Sequence, residues 1–116
     1  MREKRRHTRL DLDGLLILAL DMEERPRAHC LVRNLSLGGA LLECPSAGYP
    51  EDVEPGDAVH LDDEAPETQR LVGGVRGVVV WTYRRFIGVE FRDLLFSEEE
   101  ILRRWLEDHH LLLPRI

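Results

Sequence analysis

The stretch RNLSLGGA, Arg33 to Ala40, lies between two apolar runs, and its reading decides how the chain folds. Ser36 carries a hydroxyl suited to local backbone hydrogen bonds. The paired glycines Gly38 and Gly39 accept positive φ values and close backbone approaches that other residues resist. A tight turn over Ser36 to Gly39 is therefore expected, joining a strand over Arg27 to Leu35 to a second over Ala40 to Cys44.

Working outward, the remaining apolar runs extend this hairpin into a meander. Leu15 to Leu20 is short for an isolated helix and runs into the turn-like Asp21 to Pro26, so it reads as a strand. Residues 45–57 (PSAGYPEDVEPGD) concentrate Pro, Gly and acids as a loop before a short strand, Ala58 to Leu61. The acidic run Asp62 to Glu67 reads as a solvated connection, because it lacks the ligand spacing and glycine of a calcium loop. Arg70 to Trp81 is rich in valine and predicts a long strand, which Gly73, Gly74 and Gly77 allow to bend. Thr82 to Arg84 is expected to connect it to Arg85 to Phe91, where Ile87, Val89 and Phe91 alternate with Phe86, Gly88 and Glu90.

The C-terminal segment changes period. Ser97-Glu98-Glu99-Glu100 has the spacing of a capping box, and Ile101, Leu102, Trp105 and Leu106 form one apolar stripe at helical spacing. A helix over about residues 97–110 is expected, with its stripe closing one side of the β structure. The residues together predict six antiparallel strands in a small barrel or sandwich, followed by this helix.

Composition narrows the function. At 116 residues the chain makes one domain, and its hydrophobic fraction of 43% supplies an ordinary core. Cys30 and Cys44 lie in separate apolar runs without a CxxC or Cys/His cluster, so buried free thiols are expected rather than a zinc site. The first residues lack an apolar signal region and no run reaches membrane-spanning length, which points to a cytoplasmic protein without membrane insertion. Residues 1–9 carry a net charge of +4, which leaves −10 on the remainder of a chain whose total is −6. An acidic body of this kind disfavours duplex DNA, which needs a basic face for several phosphates. A short basic arm on it suits a small anion.

Candidate binding residues fall in two places. Arg5, Arg6 and Arg9 in the arm present planar guanidinium forks that grip phosphate or the O6/N7 edge of guanine and stack on purine faces. Asn34 supplies a donor and an acceptor, Ser36 a hydroxyl, and Gly38 and Gly39 bare backbone. His7 and Thr8 lie between the arginines and read as spacers, with a stacking contact from His7 as the alternative. Trp81 on its valine-rich strand reads as core or rim packing more readily than as a stacking face, and the adjacent His109 and His110 do not converge on a metal. No nucleophile–base pair, phosphate loop or supported carboxylate pair suggests an enzyme, and neither a metal nor a cofactor is expected.

These residues resemble a known family. Arg5-Arg6-His7-Thr8-Arg9 matches the RxxxR motif of PilZ domains, and Asn34-Leu35-Ser36-Leu37-Gly38-Gly39 matches their [D/N]xSxxG motif. The order and separation fit, as do the Gly88-Val89-Glu90-Phe91 strand and the closing helix. The resemblance implies a mainly β fold, a six-stranded antiparallel barrel with a C-terminal helix. It divides the chain into a flexible ligand-gripping arm over residues 1–12 and a barrel domain over 13–116. It also implies binding of the bacterial second messenger cyclic di-GMP, with Arg5, Arg6, Arg9, Asn34, Ser36, Gly38 and Gly39 as contacts. The expected function is a receptor or adaptor whose arm orders on binding and presents a surface to a downstream protein. The alternatives are a related interaction module without ligand and a small barrel that binds single-stranded nucleic acid.

Overall fold

The computed structural model describes residues 7–45, 52–64, 71 and 73–114. Arg5 and Arg6 lie outside these residues, as do the middle of the 45–57 loop and most of the segment between Glu64 and Gly73.

Among the described residues, seven strands and one helix follow in the order β1 (Leu10–Asp11), β2 (Ile17–Asp21), β3 (Ala28–Ser36), β4 (Gly39–Glu43), β5 (Ala58–Asp62), β6 (Val75–Tyr83), β7 (Phe86–Phe91) and α1 (Glu99–Asp108). All strand pairings are antiparallel. Six strands close into a barrel, β3-β2-β5-β6-β7-β4, with β4 returning to pair with β3. The seventh, β1, continues the line of β2 along the same edge of β3: Leu31 pairs with both Ile17 and Glu43, and Asn34 with both Asp11 and Leu41. The sheet thus begins at Leu10, which is buried, inside the segment expected to be an arm.

The alternation of each strand delivers leucine, valine and isoleucine to the interior. Leu18, Leu20, Leu35, Leu42, Leu61 and Ile87 are fully enclosed, and each such side chain contributes about 2 kcal/mol relative to exposure. Leu102 and Leu106 of α1 join the same core, so the helix closes the barrel as expected. Ile101 remains exposed at the margin of the stripe.

Several local expectations are revised. Glu98, extended at φ −142° and ψ 148°, occupies the N-cap without a side-chain cap bond, so the helix starts one residue beyond the Ser97 capping box. β6 begins at Val75, because Gly74 takes φ +89° and interrupts the extended run. At its other end Thr82 and Tyr83 still pair with Ile87 and Phe86, and the turn is Arg84-Arg85 with Arg84 at φ 56°. A two-residue hairpin turn usually announces itself with Gly or Asn, and this one does not.

The cysteines are not free. Cys30 of β3 and Cys44, the residue after β4, sit opposite each other with Cα atoms 4.6 Å apart and are joined as a disulfide. Hairpin register brings them together, a relation that their separation of 14 residues does not reveal. Among the described residues, no helix is long and apolar enough to cross a membrane.

Candidate functional site

The outer face of β3, β4, β7 and β6 bears an open cavity of about 550 Å³, within the range usual for small-molecule sites. His7 and Arg9 line it from the segment before β1. Asn34, Ser36, Gly38 and Gly39 line it from the β3–β4 hairpin, and Trp81, Gly88 and Glu90 from β6 and β7. Every described member of the two expected groups, Arg9 and the four hairpin residues, therefore meets at one cavity.

Asn34 reaches this face through a β-bulge. On β3, Ala28, Cys30 and Val32 point inward, and strict alternation would send Asn34 inward as well. The register shift between Val32 and Asn34 reverses the phase, so Leu35 enters the core and Asn34 faces the cavity. The shift spares a polar amide from burial.

Ser36 holds the turn. Its hydroxyl accepts from the backbone N–H of Gly38 at 3.3 Å and donates to the carbonyl of Gly39 at 3.4 Å. The glycines serve approach rather than positive φ, which neither adopts. A Cβ on Gly38 would stand 3.0 Å from the His7 ring, so its bare backbone lets the N-terminal segment cross the turn. A Cβ on Gly39 would fall 2.5 Å from the Val89 carbonyl oxygen. Gly39 is thus required by the β4–β7 pairing before any ligand is considered. Its backbone also lines the cavity.

A second bulge, between Val79 and Trp81, turns the other wall outward. Val79 is buried, whereas Val80 and Trp81 are both exposed, at 46% and 38%. The indole lies against Gly88, where a Cβ would come within 2.4 Å of its Nε1. Gly88 is buried beneath this ring. Leu41 and Val80 add apolar surface, and Leu94 borders the side near His7. Sequence reasoning placed Trp81 in the core or on a rim. Strict alternation would send Trp81 inward with Val79, and the bulge sets it on the cavity's edge instead.

The charges of the cavity are mixed. Arg9 and Arg92 supply cations, Glu90 a carboxylate, and His7 an imidazole. A second cavity of about 410 Å³ lies between the start of β2 and α1, where the Trp105 and His109 rings stack at 3.9 Å. Its polar rim is largely satisfied internally. Asp63 accepts from the Leu71 N–H at 2.8 Å, and Glu64 bonds His29 at 2.9 Å and pairs with Arg27. These contacts with His29 and then Arg27 lower the Glu64 pKa from its ordinary value, and the Arg27 hydrogen bond lowers that of Asp21. No cluster of His, Cys, Asp and Glu among the described residues could hold a metal.

Comparison with known proteins agrees with this architecture. The family model described as PilZ domain matches residues 3–108. No curated protein matches the chain by sequence. Among solved structures, the chain is similar to the Bacillus subtilis inhibitor of motility (MotI/DgrA), with TM-score 0.64 and 18% identity over 93% of this chain and 51% of that one. The chain thus spans about half the length of that protein. It is also similar to the PilZ domain of YcgR from Escherichia coli, solved with cyclic di-GMP, with TM-score 0.58 and 13% identity over 91% of this chain and 88% of that one. At these identities the two structures speak to the fold, while the family match covers nearly the whole sequence and carries both motifs. The chain is a member of the PilZ domain family.

Proposed function

We propose that this chain is a cyclic di-GMP receptor that acts as an adaptor rather than an enzyme. The observation that carries the reading is the meeting of Arg9, Asn34 and Ser36 with the Trp81 ring around one open cavity. A doubly anionic cyclic dinucleotide needs cations for its phosphates, polar edges for its bases and a flat apolar surface for stacking. The cavity offers all three. Membership in a family of binding and adaptor modules supports the same conclusion, as does a relative of the same fold solved with this ligand.

In this reading Arg9 contacts phosphate or guanine, with Arg5 and Arg6 completing the grip. Arg6 adjoins His7 in the chain and Arg5 precedes it by two residues, and His7 already lies over Gly38. Asn34 hydrogen-bonds a base edge, Ser36 keeps the turn in shape while offering its hydroxyl, and Trp81 stacks on a purine. Closure of the N-terminal segment over the ligand alters the surface around the cavity mouth, which a downstream protein then reads.

Titration calorimetry with cyclic di-GMP, GTP and a short RNA tests the proposal. Saturable binding is expected for the cyclic dinucleotide alone, with Arg9→Ala weakening it by at least about tenfold through loss of charge-assisted hydrogen bonds. A chain that binds none of the three is an interaction module of this fold, and one that prefers RNA is a nucleic-acid-binding barrel. Either result rejects the receptor reading.

A further inference from the structure

Glu90 places a negative charge in a cavity whose proposed ligand is itself negative. Its carboxylate is exposed, lines the cavity, and forms no hydrogen bond or ion pair among the described residues. Arg92 lines the same cavity without pairing to it. A carboxylate so placed repels phosphate, so its presence calls for a different complement in the ligand.

The surroundings of Glu90 indicate which complement. Across the β4–β7 pairing it faces Gly39, and along β7 the next outward residue is Gly88, about 7 Å away. Gly39 leaves the backbone on the β4 side of Glu90 bare of a side chain, while along β7 the Trp81 indole covers Gly88. The partly exposed indole thus stands one outward position along β7 from Glu90. A base stacked on the indole and running along β7 would bring its edge beside the carboxylate. Both carboxylate oxygens are acceptors, so they select an edge with two adjacent donors. Guanine has such an edge in N1–H and its 2-amino group. Adenine presents a ring-nitrogen acceptor beside its amino group, and hypoxanthine has N1–H alone. Asn34, with one amide oxygen, cannot provide this double acceptance.

We propose that Glu90 determines base specificity in this chain, accepting from N1–H and the 2-amino group of one guanine of the cyclic dinucleotide. The inference rests on the receptor reading above and adds to it a residue outside both arm and hairpin motifs.

Calorimetry of the full chain and its Glu90→Gln variant with cyclic di-GMP, cyclic di-IMP and cyclic di-AMP tests it. Cyclic di-IMP differs from cyclic di-GMP only in lacking the 2-amino groups. The wild type is expected to prefer cyclic di-GMP over cyclic di-IMP by about tenfold or more, the range for one charge-assisted hydrogen bond. Cyclic di-AMP is expected to bind more weakly still. In Glu90→Gln, with thermal unfolding unchanged, the preference for cyclic di-GMP over cyclic di-IMP is expected to collapse towards unity. Loss of repulsion alone would strengthen all three ligands in parallel and leave the ratios intact, which overturns the proposal. Wild-type protein that binds cyclic di-GMP and cyclic di-IMP equally also overturns it and spares the receptor reading. Wild-type protein that binds no cyclic dinucleotide overturns both.

Discussion

The β3–β4 and β6–β7 hairpins contribute adjoining walls to the same cavity, but they are built differently. On the first wall, Asn34, Ser36, Gly38 and Gly39 lie within six consecutive residues, and Ser36 bonds the backbone of its own turn. On the second, Trp81 and Gly88 belong to different strands, and they meet through cross-strand register and a bulge. Local bonds recur wherever the motif occurs, so the first wall has a sequence signature. The second depends on the phase of two strands, which a one-residue slip would reverse. Both walls nevertheless use the same device, an extra residue that re-aims one side chain from core to cavity.

The strongest test of this contrast is Gly39→Leu. A Cβ 2.5 Å from the Val89 carbonyl oxygen forces β4 and β7 apart, so destabilisation of about 3 kcal/mol is expected in urea unfolding. Unchanged stability would show that the β4–β7 pairing does not need the glycine. A smaller effect separates the walls by function. Trp81→Ala should weaken cyclic di-GMP binding by about 1–3 kcal/mol through lost stacking, with little change in stability, since the indole is partly exposed. Ser36→Ala should act mainly on the turn, costing about 1 kcal/mol of stability from its paired neutral hydrogen bonds. Were Trp81→Ala to unfold the barrel while leaving affinity per folded molecule intact, the second wall would be structural.

The smallest expected effect lies away from both walls and serves as their control. Arg27 bonds Asp21 and pairs with Glu64, and the pKa of each carboxylate is lowered in the folded chain. A lowered carboxylate pKa stabilises the fold above its unfolded value and ceases to do so as pH falls through the folded one. Arg27→Gln should therefore lower stability slightly at neutral pH, and the difference from wild type should shrink as pH falls below about 4 and vanish only below the lowered folded-state values. Affinity for cyclic di-GMP should not change, because none of these groups lines the cavity between the two hairpins. The modest size follows from their exposure to solvent.

What could be read in advance follows the same physical division. The inward positions of β7, the helix stripe at Leu102 and Leu106, and the turn at Ser36 each rest on a period or a local bond. Those expectations hold in the structure. β1 at Leu10–Asp11 escaped notice because two residues have no period, and they are extended only because Leu35 and Asn34 offer them a ladder. The Cys30–Cys44 disulfide was missed because the two runs containing them become neighbours only in the hairpin. The turn at Arg84-Arg85 was misplaced because an arginine, not a glycine, takes the positive φ.

By itself the amino-acid sequence determined the β-rich class, the closing helix, the hairpin motif and the basic N-terminal segment. Each is written in side-chain chemistry within a few residues of itself. The tertiary structure alone decided that Asn34 and Trp81 face outward, that Gly39 makes room for Val89, and that Glu90 shares a cavity with Arg9. Barrel closure fixes which strands touch and in what register, and a single inserted residue then determines whether a side chain enters the core or meets the cavity.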